Sequence, residues 1–122
     1  MKATNQGKKK KVMSENEEKR PKRYVIVGNQ SYGLYYGETD ATDREIVETK
    51  SVRLENCRHI CHWRGKTGGI TSLAAHGPCG PQAKQSRIGA PSPSTLLMGI
   101  VNVLDCSEEA VKNFARIEVS DG

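Results

Sequence analysis

Side chains that could bind a metal are concentrated in one short stretch of the sequence. They are Cys57, His59, Cys61, His62, His76 and Cys79. Thiolate and imidazole are the ligands that tetrahedral zinc prefers. Because alternate residues of a strand share a face, Cys57, His59 and Cys61 could point the same way, with His76 or Cys79 completing the site. Zinc sites usually hold paired ligands on a turn, so we favour buried reduced cysteines and expect neither a metal nor another cofactor.

The same residues could also supply a nucleophile and its base, with His76 acting on Cys79 or His62 acting on a nearby cysteine. The sequence has no strand-to-helix nucleophile elbow, no paired-carboxylate signature and no Walker-type phosphate loop. The stretch 65–69 contains a Lys-Thr step but lacks the first glycine at the required spacing. We therefore expect no catalytic residue and no enzymatic activity.

A basic segment around the only tryptophan is the main candidate binding surface of the folded part. Its residues are Arg58, His62, Trp63, Arg64 and Lys66. Arginine beside an exposed aromatic ring is typical of protein interfaces and of sites on which bases stack. A lone tryptophan in a small protein is also often a core residue, so both interpretations of Trp63 stay open. Strand alternation would place Ile60 and Trp63 on opposite faces, so one of them should meet a partner or a second layer.

The positive charge of the chain lies in its first residues. Residues 1–23 hold nine basic and three acidic side chains, a net charge of +6, whereas residues 24–122 hold ten and eleven, a net charge of −1. A segment with so little apolar surface cannot offset the entropy of ordering, so residues 1–22 are predicted to form a flexible basic arm. Its lysine run is Lys8, Lys9, Lys10 and Lys11. This run would be attracted to acidic surfaces or phosphates, or would serve only to solubilise the protein.

Residues 23–122 are predicted to form a single α+β domain with a small, mostly antiparallel sheet and two short helices. The predicted strands are 23–28, 32–37, 58–63 and 96–104, with one long or two short strands at 45–54 and a short edge strand at 117–119. The run 96–104 is the most apolar of the chain and is predicted to be the central strand.

Two helices and one long loop complete the predicted domain. The first helix covers 70–76 and ends at Gly77. The second covers 107–115, with Asp105 or Ser107 as its N-cap. The stretch 77–93 is rich in glycine and proline and is predicted to be an exposed loop.

The order of these features resembles a family of small uncharacterised proteins found in tailed phages and prophages. The resemblance rests on Tyr24-Val25-Ile26-Val27, Val52-Arg53-Leu54, Arg58-His59-Ile60-Cys61-His62-Trp63-Arg64-Gly65, Leu73-Ala74, Gly77-Pro78, and Asn102-Val103-Leu104-Asp105-Cys106 before Glu108-Glu109-Ala110. It covers about residues 23–115 and leaves the arm outside. Members carry other residue types at the positions of Cys57, His59 and Cys61, which also argues against zinc. The family has no established activity, so the resemblance implies a phage origin and no particular chemistry.

The sequence therefore predicts a non-enzymatic virion component, such as a head decoration, minor capsid or connector-associated protein. Its partners would be other phage structural proteins or copies of itself, contacted by the arm. One alternative is a protein that sequesters a nucleotide signal of host defence on the basic surface, and another is an accessory protein that binds DNA. No run approaches the ~20 apolar residues that span a bilayer, and the N-terminus lacks the apolar stretch of a signal peptide. We expect no membrane contact and a location in the virion or the host cytoplasm.

Overall fold

Six strands and three α-helices make up the part of the chain that the computed structural model describes, which is residues 20–30, 33–63, 69–81 and 83–117. The strands are β1 (Arg23–Asn29), β2 (Gly33–Thr39), β3 (Ser51–His62), β4 (Arg87–Ile88), β5 (Ser92–Met98) and β6 (Ile100–Asp105). The helices are α1 (Asp43–Thr49), α2 (Ile70–His76) and α3 (Glu108–Arg116), with a short 3-10 helix at Ala83–Gln85. All strand pairs are antiparallel, which confirms the predicted α+β class. None of the helices in these ranges is long and apolar enough to cross a membrane.

The sheet curls until one segment of chain joins its two sides. Its order is β4-β3-β2-β1-β6, and β5 also pairs with β3. Only Gly99, with φ at +70°, separates β5 from β6, so the chain leaves the edge of β3 and reaches the edge of β1 within one bend. The backbone N–H of Gln30 donates to the carbonyl oxygen of Gly99 at 3.0 Å and holds this bend against β1. The pairing therefore forms a ring through β1, β2, β3 and the β5–β6 segment.

Two apolar cores lie on opposite faces of the curled sheet. Alternate residues of β1 enter different cores, since Val25 and Val27 face the first core while Ile26 faces the second. The first core also contains Ile46 of α1, which lies over this face. Phe114 of α3 is fully buried in the second core, together with residues of α2. A sheet with both faces covered explains why β1 is apolar without alternation.

The prediction of strand structure at 45–54 is wrong for its first half, where α1 forms. Thr42 and Glu45 make a capping box, in which the Glu45 backbone N–H donates to Thr42 Oγ1 at 3.1 Å and the Thr42 N–H donates to Glu45 Oε1 at 2.9 Å. Lys50 ends the helix in the left-handed conformation, and β3 starts at the next residue. The cap outweighed the strand propensity of a short segment. The chain thus has three α-helices in the described ranges instead of the predicted two.

The prediction of one central strand at 96–104 is also wrong. Gly99 divides this run into two strands, and β6 lies at an edge of the sheet while β1 and β2 occupy its middle. Leu97 and Ile100 are buried, but the apolar side chains beside them point to solvent. Strong hydropathy here does not mark a strand that is covered on both faces.

Other predicted elements are confirmed. The β1–β2 hairpin forms, the predicted strand 58–63 is the last part of β3, and α2 ends at Gly77. Ser107 caps α3, because its Oγ accepts the Ala110 backbone N–H at 3.0 Å. The prediction that 77–93 is an exposed loop is wrong at Arg87–Ile88, which form the short β4, where Ile88 is fully buried. Ile117 lies in a bend, and the rest of the predicted strand 117–119 falls outside the described residues.

The last residues of the predicted arm are attached to the domain. Arg20 donates to the Asp40 carbonyl oxygen at 3.1 Å and pairs with Glu45 at 2.6 Å. Lys22 pairs with Glu55 at 2.9 Å. The remainder of the predicted arm, residues 1–19, lies outside the described residues.

Candidate functional site

Arg58 lies inside the protein and not on the predicted basic surface. Its side chain is buried, and the residue is 7% exposed. The guanidinium Nε donates to the Gly89 carbonyl oxygen at 2.7 Å, and Nη1 donates to that of Phe114 at 2.8 Å. Nη2 donates at 3.4 Å to the carbonyl oxygens of Ile88 and Ile117. The prediction that Arg58 is available at the surface is therefore wrong.

The position of Arg58 follows from the end of α3. The last carbonyls of a helix have no partner within the helix, and a cation near them is favoured by the helix dipole. Ile60 and Arg58 sit two residues apart in β3 and face the second core, next to the C-terminal end of α3. Burial lowers the pKa of the Arg58 guanidinium from its ordinary value, although arginine remains charged in proteins. Arg58 thus joins β3, the residues around β4 and α3 through carbonyl oxygens.

The remaining residues of the predicted basic surface have different environments. His62 is exposed at the end of β3, whereas Trp63 is partly buried and packs against the second core. The prediction that Ile60 and Trp63 face opposite sides is wrong, because the pairing register shifts after Ile60 and the strand ends before Trp63. Outside the described residues lie Arg64, Lys66, Lys8, Lys9, Lys10 and Lys11.

The cysteine and histidine residues are spread over separate environments. Cys57 is buried in the first core, and burial raises the pKa of its thiol. The exposed His59 ring stacks on Tyr35 with 4.9 Å between centroids, and its Nδ1 lies 3.2 Å from the sulfur of Cys61. His76 contacts Glu109 at 3.2 Å on α3. Among the residues that the structure describes, no three metal-ligating side chains come together.

The second core contains two weak acids whose neutral forms are favoured by burial. The Tyr36 ring stacks between Tyr24, at 5.4 Å, and Phe114, at 3.9 Å, and burial raises its pKa. Burial raises the pKa of the Cys106 thiol to about 12. Both groups hold their protons in the folded state at a pH where the unfolded chain has lost them. Alkaline pH should therefore destabilise the fold.

We expect the free energy of unfolding to fall between pH 8 and pH 10, and Cys106 should account for about 1–2 kcal/mol of that fall. The unfolded thiol ionises near pH 8.5, while the folded thiol stays neutral until about pH 12, so stability is lost as the pH rises between these values. Urea unfolding at both pH values, with wild type and Cys106→Ala, measures the contribution. Equal losses in the two proteins would contradict it.

Four large apolar side chains are exposed around the bend between β5 and β6. This bend surface consists of Val47 (71% exposed), Leu96 (50%), Met98 (67%) and Val101 (60%). Leu96 and Met98 share the outer face of β5, and Val101 follows the bend at Gly99. Val47 lies one helical turn before Lys50, whose carbonyl oxygen accepts the Ile100 N–H at 3.1 Å. This surface is missed when the whole run 96–104 is interpreted as one central strand.

A pocket of about 350 Å³ lies next to the bend surface, between α1 and β6. Its lining residues are Asp43, Ile46, Val47, Lys50, Ile100, Val101, Asn102 and Val103. At one end, the hydrogen bond between Ile100 and Lys50 joins β6 to α1. At the other end, Arg23 pairs with Asp43 at 2.8 Å and with Asp105 at 2.9 Å. The pocket is therefore closed at both ends by backbone or ionic contacts.

One known protein family matches most of this chain. The model of a domain of unknown function, DUF6948, matches residues 22–114. The chain belongs to the DUF6948 family. The part matched to DUF6948 contains all six strands, the bend surface and the pocket, and it leaves out nearly all of the predicted arm. No curated protein and no solved structure matches this DUF6948 chain.

Proposed function

We propose that the protein is a non-enzymatic component of a larger protein assembly and that the bend surface is one of its contacts. The assembly favoured by the resemblance of the sequence is a virion. The bend surface carries this proposal, since its four large apolar side chains are each half or more exposed. Contiguous exposed apolar patches are typical of surfaces that other proteins cover.

The energy available from the bend surface is large enough for a contact. Burying a valine, leucine or methionine side chain completely gains about 1.5–3 kcal/mol. At least half of that gain is still available at each position of the surface, because folding has left these side chains half or more exposed. A partner that covers all four would gain several kcal/mol before the cost of association.

The start of the domain supports the same location for a partner. Arg20 lies near the end of the basic arm, and it pairs with Glu45 in the first turn of α1. The same helix carries Val47 of the bend surface. A partner on this surface is therefore near the point where the arm joins the domain, and an acidic partner would attract the lysines of the arm.

The alternative of nucleotide sequestration receives less support. That hypothesis used Arg58, Arg64 and Lys66 to hold phosphates. Arg58 donates to backbone carbonyl oxygens in the interior and is not available to a ligand. No described feature favours a nucleotide over a protein partner.

Mass spectrometry of particles purified from the source of the protein tests the proposed assembly. We expect the protein at a fixed copy number, and we expect the double variant Met98→Ser/Val101→Ser to be incorporated at least tenfold less. Truncating apolar residues at the centre of a contact costs 1 kcal/mol or more each, roughly fivefold in affinity. Both side chains are exposed in the isolated domain, so its free energy of unfolding should change by less than about 1 kcal/mol.

Ala115→Ser is the matched control, because it also replaces an exposed apolar residue by serine but lies on α3. It should be incorporated like wild type. Absence of the wild-type protein from particles would overturn the virion setting. Normal incorporation of the double variant would overturn the role of the bend surface.

A further inference from the structure

We propose that the pocket between α1 and β6 binds a small amphipathic carboxylate, with an apolar body inside the pocket and its carboxylate on Lys50. This proposal concerns a ligand of the isolated domain and does not depend on the assembly partner. Four observations support it: the apolar lining, the backbone polar groups of β6, the closed ends and the charges.

The lining of the pocket is mainly apolar. Its apolar members are Ile46, Val47, Ile100, Val101 and Val103. Ile46 and Ile100 belong to the first core and are buried, while Val47 and Val101 are exposed at the rim. The volume of about 350 Å³ is at the small end of the roughly 300–1,000 Å³ that ligand pockets span. These properties fit the apolar body of a small molecule.

The backbone of β6 contributes polar groups to this pocket. The Cys106 N–H donates to the Tyr24 carbonyl oxygen at 3.0 Å, which shows that Tyr24 and Cys106 form a hydrogen-bonded pair of the antiparallel ladder between β1 and β6. Hydrogen-bonded and non-hydrogen-bonded pairs alternate along such a ladder, so Leu104 exchanges hydrogen bonds with β1. The N–H and carbonyl of Val103 therefore point away from β1, toward the pocket. A ligand can therefore meet hydrogen-bonding groups as well as apolar side chains.

The closed ends favour a compact ligand over an extended peptide. The open part of the β6 edge runs only from Val101 to Val103, because Lys50 already binds Ile100 and Arg23 bridges Asp43 to Asp105. Strands in globular proteins are usually about 3–10 residues long and most often five or six, so this open part is at the short limit for a partner strand. An extended partner strand would have to break one of these contacts, and a small molecule would not.

The charges around the pocket favour an anion. The carboxylate of Asp43 is already paired with Arg23 at 2.8 Å. Lys50 lines the pocket, and within the described ranges it has no ion pair. A carboxylate next to Lys50 would be attracted to the ammonium group, whereas a protonated amine would be repelled by it. Because pairs near a surface are weak, we expect only a roughly three- to tenfold preference.

The test is an NMR titration of the full chain with octanoate and, separately, with octylammonium, which has the same apolar body and the opposite charge. We expect saturable shifts at the backbone amides of Lys50, Val101 and Val103, and a dissociation constant for octanoate on the order of 1 mM, which ordinary ligand efficiency gives for this size. Octylammonium should bind roughly three to ten times more weakly.

Variants of Lys50 separate the charge from the cavity. Lys50→Met should bind both compounds equally, and Lys50→Glu should prefer octylammonium. Lys84→Met removes an exposed lysine of the 3-10 helix and should keep the wild-type preference. Met98→Ser changes the bend surface but not the pocket lining, so it should leave octanoate binding unchanged while it weakens assembly.

Several results would overturn the proposal. Equal binding of the two compounds by wild type, or an unchanged preference in Lys50→Met, would remove the role of Lys50. Shifts confined to Leu96 and Met98 would show adsorption to the bend surface alone. Binding of a capped Val-Ile-Val-Glu peptide without binding of octanoate would assign the pocket to a peptide instead.

Discussion

Arg58→Met should lower the free energy of unfolding by about 3–5 kcal/mol, because two short hydrogen bonds from a charged donor are lost; this is a large part of the 5–15 kcal/mol that a domain of this size usually has. The variant keeps an apolar chain of similar length but removes all four guanidinium hydrogen bonds, so the Gly89 carbonyl oxygen loses its Nε donor and the Phe114 carbonyl oxygen keeps the Ile117 N–H at 3.3 Å. Buried acceptors that lose their donors retain the full cost of their removal from water. Urea unfolding at neutral pH measures the loss.

Two variants separate this interpretation from a general sensitivity of β3. Arg53→Met replaces an exposed arginine of the same strand, whose Nη1 donates to Ser94 Oγ at 3.0 Å, and should cost less than about 1 kcal/mol. Arg58→Lys keeps the charge but cannot reach acceptors in three elements, so it should fall between wild type and Arg58→Met. A loss below 1 kcal/mol for Arg58→Met would show that the carbonyl oxygens find other donors.

Arg58 also shows why part of the candidate site could not be predicted from the sequence. The residue types between positions 58 and 66 are those typical of a binding surface. The decisive fact is that α3 ends beside β3, with its last carbonyls directed at position 58. That contact joins residues 56 positions apart, and no local pattern encodes it.

The hairpin and two helices were predictable because their signals are local. Turn residues between two apolar segments indicate β1 and β2, and Gly77 and Ser107 mark the end of α2 and the start of α3. The bend surface was not predictable from hydropathy alone. The run 96–104 becomes half exposed only because Gly99 divides it between two edges of the sheet.

The helix α1 was missed for a different reason, because its signal is local. Its capping box, Thr42 with Glu45, is a recognised sequence signal and could have predicted the helix. The strand formers after it masked this signal. The pocket depends on α1, so it could not be foreseen while this segment was taken as a strand.

Gly77→Ala should lower the free energy of unfolding by about 3 kcal/mol or more, which is the second largest effect that we expect. Gly77 has φ +70° and ψ −175°, a conformation that costs other residues about 1–3 kcal/mol. An added Cβ would also lie 2.9 Å from the carbonyl oxygen of Ala110 and 3.0 Å from its Cα. These are backbone atoms of α3, so the clash can be relieved only by moving the helix.

Movement of α3 would disturb several contacts that hold the two helices together. Asn113 Nδ2 donates to the His76 carbonyl oxygen at 2.7 Å, and the Ser107 N–H donates to that of Ala74 at 3.0 Å. The C-terminal end of α3 supplies the acceptors of Arg58. A shift at Gly77 therefore weakens the second core beyond its own position.

Gly80→Ala is the matched control for the close approach of α2 and α3. Gly80 also has a positive φ, at +88°, but an added Cβ would have no atom of the described residues within 4 Å apart from its own chain neighbours. This variant should cost only about 1 kcal/mol, the usual penalty for a left-handed alanine. Thermal melts should follow the same order, since 1 kcal/mol corresponds to roughly 4–8 °C in a domain of this size. If both variants lose the same stability, backbone conformation alone determines the requirement for glycine, and the tight contact with Ala110 contributes nothing.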